Sequence, residues 1–118
     1  VADGSVYSKV EGGPVSLVTI SALTKEYVRA QVYAKEAGVE VNPTTYVVEM
    51  ACPITGVVPV SGDWKTASWE VDNGTYWARV LVGTGSTLVL AAGYYDVWVR
   101  ITAPSETPVK KVGQLQVI

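Results

Sequence analysis

The groups that could do chemistry in this 118-residue chain are few: one cysteine, eleven carboxylates and no histidine. Without histidine the Ser–His–Asp and Cys–His arrangements and the common zinc sites are excluded. Cys52 has no partner for an internal disulfide, and in the run VVEMAC a buried thiol behaves as a small hydrophobe. Asp63, Glu70, Asp72 and Asp96 are the carboxylates that calcium binding or an acid/base pair would draw on, but no Asp-x-Asp-x-Asp spacing occurs. Scattered carboxylates belong on a solvated face. A carboxylate dyad stays open in principle, with nothing to place two of them together. Gly83-Thr84-Gly85-Ser86-Thr87 has the small residues of a phosphate loop, yet it leads into a strand pattern and no lysine follows, so a turn is expected. Asn73-Gly74-Thr75 matches a glycosylation acceptor, whereas Asn42-Pro43-Thr44 is excluded by its proline. The Asn-Gly pair is better explained by a hairpin. No catalytic residue, metal ligand or cofactor is expected.

What remains is a set of aromatic and arginine side chains, and these need strands to present them. In GYYDVWVRIT, Tyr95, Val97, Val99 and Ile101 point to one side, while Tyr94, Asp96, Trp98 and Arg100 point to the other. The first set is core. The second should meet water but carries a tyrosine and a tryptophan. In EYVRAQVYA the residues Val28, Ala30, Val32 and Ala34 oppose Tyr27, Arg29, Gln31 and Tyr33, and in TYVVEMAC, Tyr46, Val48, Met50 and Cys52 share a face. ASWEVD and TYWARV are joined by Asn73-Gly74, the dipeptide that most favours a type I′ turn. A two-residue loop pairs Asp72 with Thr75, Val71 with Tyr76, Glu70 with Trp77, Trp69 with Ala78 and Ser68 with Arg79. By that parity Trp77 stands outward beside Glu70 and Arg79, Trp98 beside Asp96 and Arg100, and Trp64 lies in the loop SGDWKT. Trp, Tyr and Arg are the types enriched at interface hot spots. Trp64, Trp77, Arg79, Tyr94, Trp98 and Arg100 are therefore the candidate interface. The competing expectation is that other parts of the chain cover this face, or that Arg79 and Arg100 simply stack on the indoles.

Length and composition bound the rest. The chain fits one domain with a core of its own. Charged residues are 17% of it and the net charge is −2, so no basic field invites nucleic acid or an anionic membrane. No window approaches the roughly 18 apolar residues of a membrane span, and no signal-peptide pattern opens the chain. No segment holds a helical period. Short strands separated by turns predict an all-β, antiparallel, immunoglobulin-like β-sandwich of about seven strands, with a closed barrel as the alternative. Residues 1–19, rich in glycine at 4, 12 and 13, read as an extended N-terminal arm, and residues 20–118 as the sandwich. LAAGYYDVWV looks like the corner before the penultimate strand of such domains, where an inward tyrosine bonds back to the preceding turn. Tyr95 is the candidate. No cysteine pair brackets a tryptophan, which excludes an antibody-type domain.

The stretches ISALTKEYVRAQVYA, GDWKTASWE, ARVLVGTG, LAAGYYDVWVRIT and PVKKVGQLQV together resemble small immunoglobulin-like proteins encoded among the virion structural genes of tailed bacteriophages that infect actinobacteria. The resemblance covers roughly the last hundred residues. It implies a non-enzymatic virion component on the capsid surface, at the head–tail junction or on the tail, whose partners are other virion proteins and copies of itself. Two other classes stand beside it: a carbohydrate- or receptor-binding module stacking sugars on exposed tryptophans, and a glycosidase-like enzyme that would need two facing carboxylates in a cleft.

Overall fold

The computed structural model describes residues 5–10, 17–36, 39–104 and 106–118. Among these residues ten strands form two sheets, with two single-turn 3-10 segments (Pro43–Thr45 and Ser61–Asp63) in the connections. The first sheet holds β1 (Ser5–Val10), β3 (Lys25–Glu36), β8 (Thr75–Gly83) and β7 (Ser68–Asp72) in that spatial order, and the short β4 (Val39–Glu40) pairs with β3. The second holds β2 (Leu17–Ile20), β10 (Val109–Val117), β9 (Gly93–Thr102), β5 (Val47–Ala51) and β6 (Lys65–Thr66). All pairings are antiparallel except that of β2 with β10. Seven strands are five residues or longer, and their distribution, four in one sheet and three central ones in the other, is that of the immunoglobulin sandwich.

The core lies between the sheets and follows from the alternation. Val28, Ala30 and Val32 of β3 face Val97, Val99 and Ile101 of β9, with Ala78, Val80 and Val82 of β8, Met50 of β5 and Leu115 of β10 filling the space between. Small and β-branched residues dominate, as suits the pleated inner faces of two packed sheets. Tyr95 is inward and its hydroxyl donates to the Ala91 carbonyl at 2.7 Å, the corner expected from the sequence. The hairpin has the expected register, Ser68 opposite Arg79 through Asp72 opposite Thr75, and Asn73 and Gly74 take φ of 52° and 78°, as a type I′ turn requires. Trp69 enters the core edge and donates its indole N–H to the Tyr46 carbonyl at 2.9 Å. Val71, two residue pairs nearer the tip, is left exposed.

The border expected at residue 20 does not mark the start of the sandwich. Ser5–Val10 adds an edge strand to β3 over six residue pairs, and Leu17–Ile20 runs beside β10 in the other sheet. Strand addition of this kind rests on main-chain hydrogen bonds, which polar and glycine-flanked sequence can make as well as apolar sequence. That is why residues with few large apolar groups read as an arm.

Candidate functional site

The six candidate residues do not form one site, because the two tryptophan-bearing strands belong to different sheets. Trp77 and Arg79 lie on the outer face of the first sheet. Trp98 and Arg100, with Trp64, lie on the outer face of the second. Tyr94 stands at the end of β9 and is exposed.

On the first sheet, β3 and β8 pair so that Arg29 meets Arg79, Gln31 meets Trp77 and Tyr27 meets Leu81. Two arginines directly opposite would repel. The structure relieves this by turning each guanidinium onto an aromatic ring: Arg29 lies 4.0 Å from the centroid of Trp77, and Arg79 lies 4.2 Å from that of Tyr27. Glu70 on β7 supplies the counter-charge, 3.3 Å from Arg29 and 4.0 Å from Arg79, and Arg79 Nε also donates to Ser68 Oγ at 3.2 Å. Each ion pair is partly exposed and worth at most about 1 kcal/mol, and each cation–aromatic contact about as much. Their value is geometric: five side chains on three strands are held in one arrangement. Tyr27, Arg29 and Glu70 were not among the candidates. The alternation placed Tyr27 and Arg29 on an outward face, but not beside Trp77, since that requires knowing that β3 pairs with β8.

The second outer face is built differently. Residues 52–64 leave β5, run along β9 and fold over the face. Asp96 N–H donates to the Pro53 carbonyl at 2.9 Å, Thr55 N–H to the Tyr94 carbonyl at 3.2 Å, and Gly56 N–H to Asp96 Oδ2 at 2.9 Å. Asp96 is consequently 2% exposed, not solvated as expected for an outward carboxylate. Lys111 Nζ lies 3.6 Å from Oδ2. Trp98 is half-buried on the same face, with its indole N–H enclosed and, like Asp96 Oδ1, without a hydrogen-bond partner. Beyond it Arg100 stacks on Trp64 at 4.5 Å and grips Glu49 through Nε at 2.9 Å and a terminal nitrogen at 2.8 Å. Neither tryptophan sits between the sheets. Trp98, however, is largely covered by its own chain, and parity could not show this because it gives the side of a strand and not what lies over it.

The remaining candidates for chemistry resolve simply. The Gly83–Thr87 stretch is a turn closed by Gly83 N–H to the Leu88 carbonyl at 3.0 Å and by the Ser86 hydroxyl donating to the Gly83 carbonyl at 2.6 Å. The Ser86 hydroxyl and the Gly83 and Ser86 amides are engaged within the chain. Among the described residues no group of three or more His, Cys, Asp or Glu could hold a metal ion. Burial pushes the Cys52 thiol up to about 12, so at neutral pH it is protonated and unreactive. A maleimide added to the folded protein at pH 8 is expected to label Cys52 only at the rate of unfolding, with full labelling in denaturant. Rapid labelling of the native protein, followed by mass spectrometry, would contradict the burial.

No protein-family model and no curated protein matches the chain. Among solved structures, the chain is similar to AggA, the major subunit of aggregative adherence fimbriae type I from Escherichia coli, at 12% identity and a TM-score of 0.36, over 98% of this chain and 96% of that one.

Proposed function

We propose that this chain is a non-enzymatic structural protein of a tailed-bacteriophage virion, attached to the capsid surface, the head–tail junction or the tail through protein–protein contacts. The observation that carries the proposal is the outward cluster on the first sheet, where Trp77, Tyr27, Arg29 and Arg79 are held in fixed geometry on the paired strands β3 and β8. Preordered aromatic and arginine side chains lose little entropy on binding, and they are the types that dominate interface energetics. A rigid sandwich with such a face meets what a virion subunit needs without any reactive group. The sequence resemblance supplies the setting. A sugar-binding reading has less support, because guanidinium groups already lie against Trp77 and Trp64.

The discriminating substitution is Trp77→Ala, since the enclosed indole N–H makes Trp98→Ala a test of folding as much as of binding. Trp77→Ala is expected to lower incorporation into purified particles by about 10-fold or more while shifting the melting temperature by only a few degrees. Incorporation equal to wild type, or absence of the wild-type chain from particles when they are analysed by mass spectrometry, would overturn the proposal.

A further inference from the structure

The chain has two asparagines, Asn42 and Asn73, and their surroundings are opposite. Asn42 is held in place: its Oδ1 accepts from the Thr44 N–H at 2.9 Å and from the Thr44 hydroxyl at 2.6 Å. The residue after it is Pro43, whose nitrogen carries no hydrogen. Asn73 is exposed at the tip of the β7–β8 hairpin, and its side chain makes no hydrogen bond among the described residues. The residue after it is Gly74, and a Cβ built there meets no atom within 4 Å. Neither a side chain nor a neighbouring segment therefore screens the Gly74 nitrogen. In a two-residue turn the closing hydrogen bonds belong to the flanking pair, here Asp72 and Thr75, so the Gly74 N–H faces water and can give up its proton.

These are the conditions under which an asparagine reacts with its own backbone. The deprotonated Gly74 nitrogen attacks Asn73 Cγ and the new N–Cγ bond closes a cyclic imide, while the Cγ–Nδ2 bond breaks and Nδ2 leaves as ammonia after taking a proton from water. A second water then opens the imide. Attack at Cγ restores the normal backbone with an aspartate side chain, and attack at the main-chain carbonyl carbon leaves isoaspartate, whose backbone runs through Cβ. The sum is one water consumed and one ammonia released, with no other reactant. Ring closure needs the Gly74 nitrogen swung round towards Cγ, out of the type I′ geometry that Asn73 holds at φ 52°, so it waits for the tip to open. Little resists that opening: the tip is closed by Asp72 opposite Thr75, and the next pair inward holds the exposed Val71.

We propose that Asn73 is a self-modification site, converting without an enzyme to aspartate and isoaspartate, and that Asn42 is inert. The inference concerns the hairpin tip and does not depend on the proposed virion attachment. It bears on the same hairpin, however: both products add a carboxylate beside Asp72, and isoaspartate also lengthens the backbone of the two-residue loop that sets Glu70 opposite Trp77. The test follows the full chain at pH 8 by mass spectrometry, beside the same chain in guanidinium chloride. Each conversion adds about 1 Da, as an amide NH2 gives way to OH. The need to open the tip is expected to slow the native chain about 10-fold, so that it is about half converted after roughly ten half-times of the denatured one. The gain should map to the peptide that holds position 73, where electron-transfer fragmentation separates aspartate from isoaspartate, and Asn42 should be unchanged. Asn73→Gly, which keeps a dipeptide suited to the type I′ turn, should gain no mass. A native chain still unmodified at that time, a gain that maps to another residue, or an Asn73→Gly chain that gains mass at the wild-type rate would overturn the proposal.

Discussion

Gly83→Ala is expected to destabilise the protein by about 3–5 kcal/mol, a large fraction of the 5–15 kcal/mol that holds a domain together. Gly83 ends β8 where it pairs with Lys25 at the start of β3, and its φ of +132° is one that side-chain-bearing residues rarely adopt. A Cβ built there falls 2.2 Å from the Thr24 carbonyl oxygen and 2.7 Å from Lys25 Cα. Both are backbone atoms, so no rotamer change can make room. The chain must either part β3 from β8 or break the turn in which Gly83 N–H and C=O bond to Leu88 and Ser86. Gly85→Ala is the internal control. It has a φ of +86°, but its nearest neighbour is the flexible end of Lys25 at 3.7 Å, so backbone strain of about 1 kcal/mol is all it should cost. Urea unfolding of the two variants should therefore differ by about 2 kcal/mol or more at unchanged m. Equal midpoints would mean that β8 does not pass so close to the start of β3.

What could be read from the residues, and what could not, divides by distance along the chain. The β7–β8 register was legible because a two-residue turn and the alternation of Trp69, Val71, Tyr76 and Ala78 impose the same pairing. The Tyr95 corner was legible because donor and acceptor are four residues apart. The cluster on the first sheet was only half legible: its parts all appeared on outward faces, but Arg29 and Trp77 are brought together by a pairing that spans nearly fifty residues. Patterns of period two do not identify which strand lies alongside. The expectation that Arg79 and Arg100 would stack on indoles was right for Arg100, whose ring is Trp64, and not for Arg79, which lies on Tyr27 while Arg29 takes Trp77. The strands within residues 1–19 were missed because main-chain pairing leaves little trace in side-chain type. Asp96 was misjudged for a related reason, since its cover comes from a connection whose path no local pattern encodes.

That cover yields the second large effect. Asp96→Ala is expected to cost about 2–3 kcal/mol, and Asp96→Asn less than about 1 kcal/mol. The carboxylate has two kinds of partner. Gly56 N–H bonds to Oδ2 at 2.9 Å within a turn closed by Val57 N–H to the Ile54 carbonyl, a turn that needs the φ of +87° found at Gly56. Lys111 Nζ lies 3.6 Å away, but its side chain is half exposed, so its charge returns to water at little cost when the partner is lost. Alanine orphans the Gly56 amide and leaves a hole beside Trp98. It also removes Oδ1, which is buried without a partner, and this recovers part of the loss. Asparagine keeps an acceptor for Gly56 and sacrifices only the attraction to Lys111. The hydrogen bond should therefore decide, and the neutral isostere should be nearly silent. Amide exchange adds a local readout: in Asp96→Ala the Gly56 and Val57 amides should exchange faster and Trp98 emission should shift to the red, while the Asp96 amide, bonded to Pro53 through the backbone, keeps its protection. If asparagine proved as damaging as alanine, the ion pair with Lys111 would be what fastens the connection over the second sheet, and Lys111→Met should then reproduce the loss.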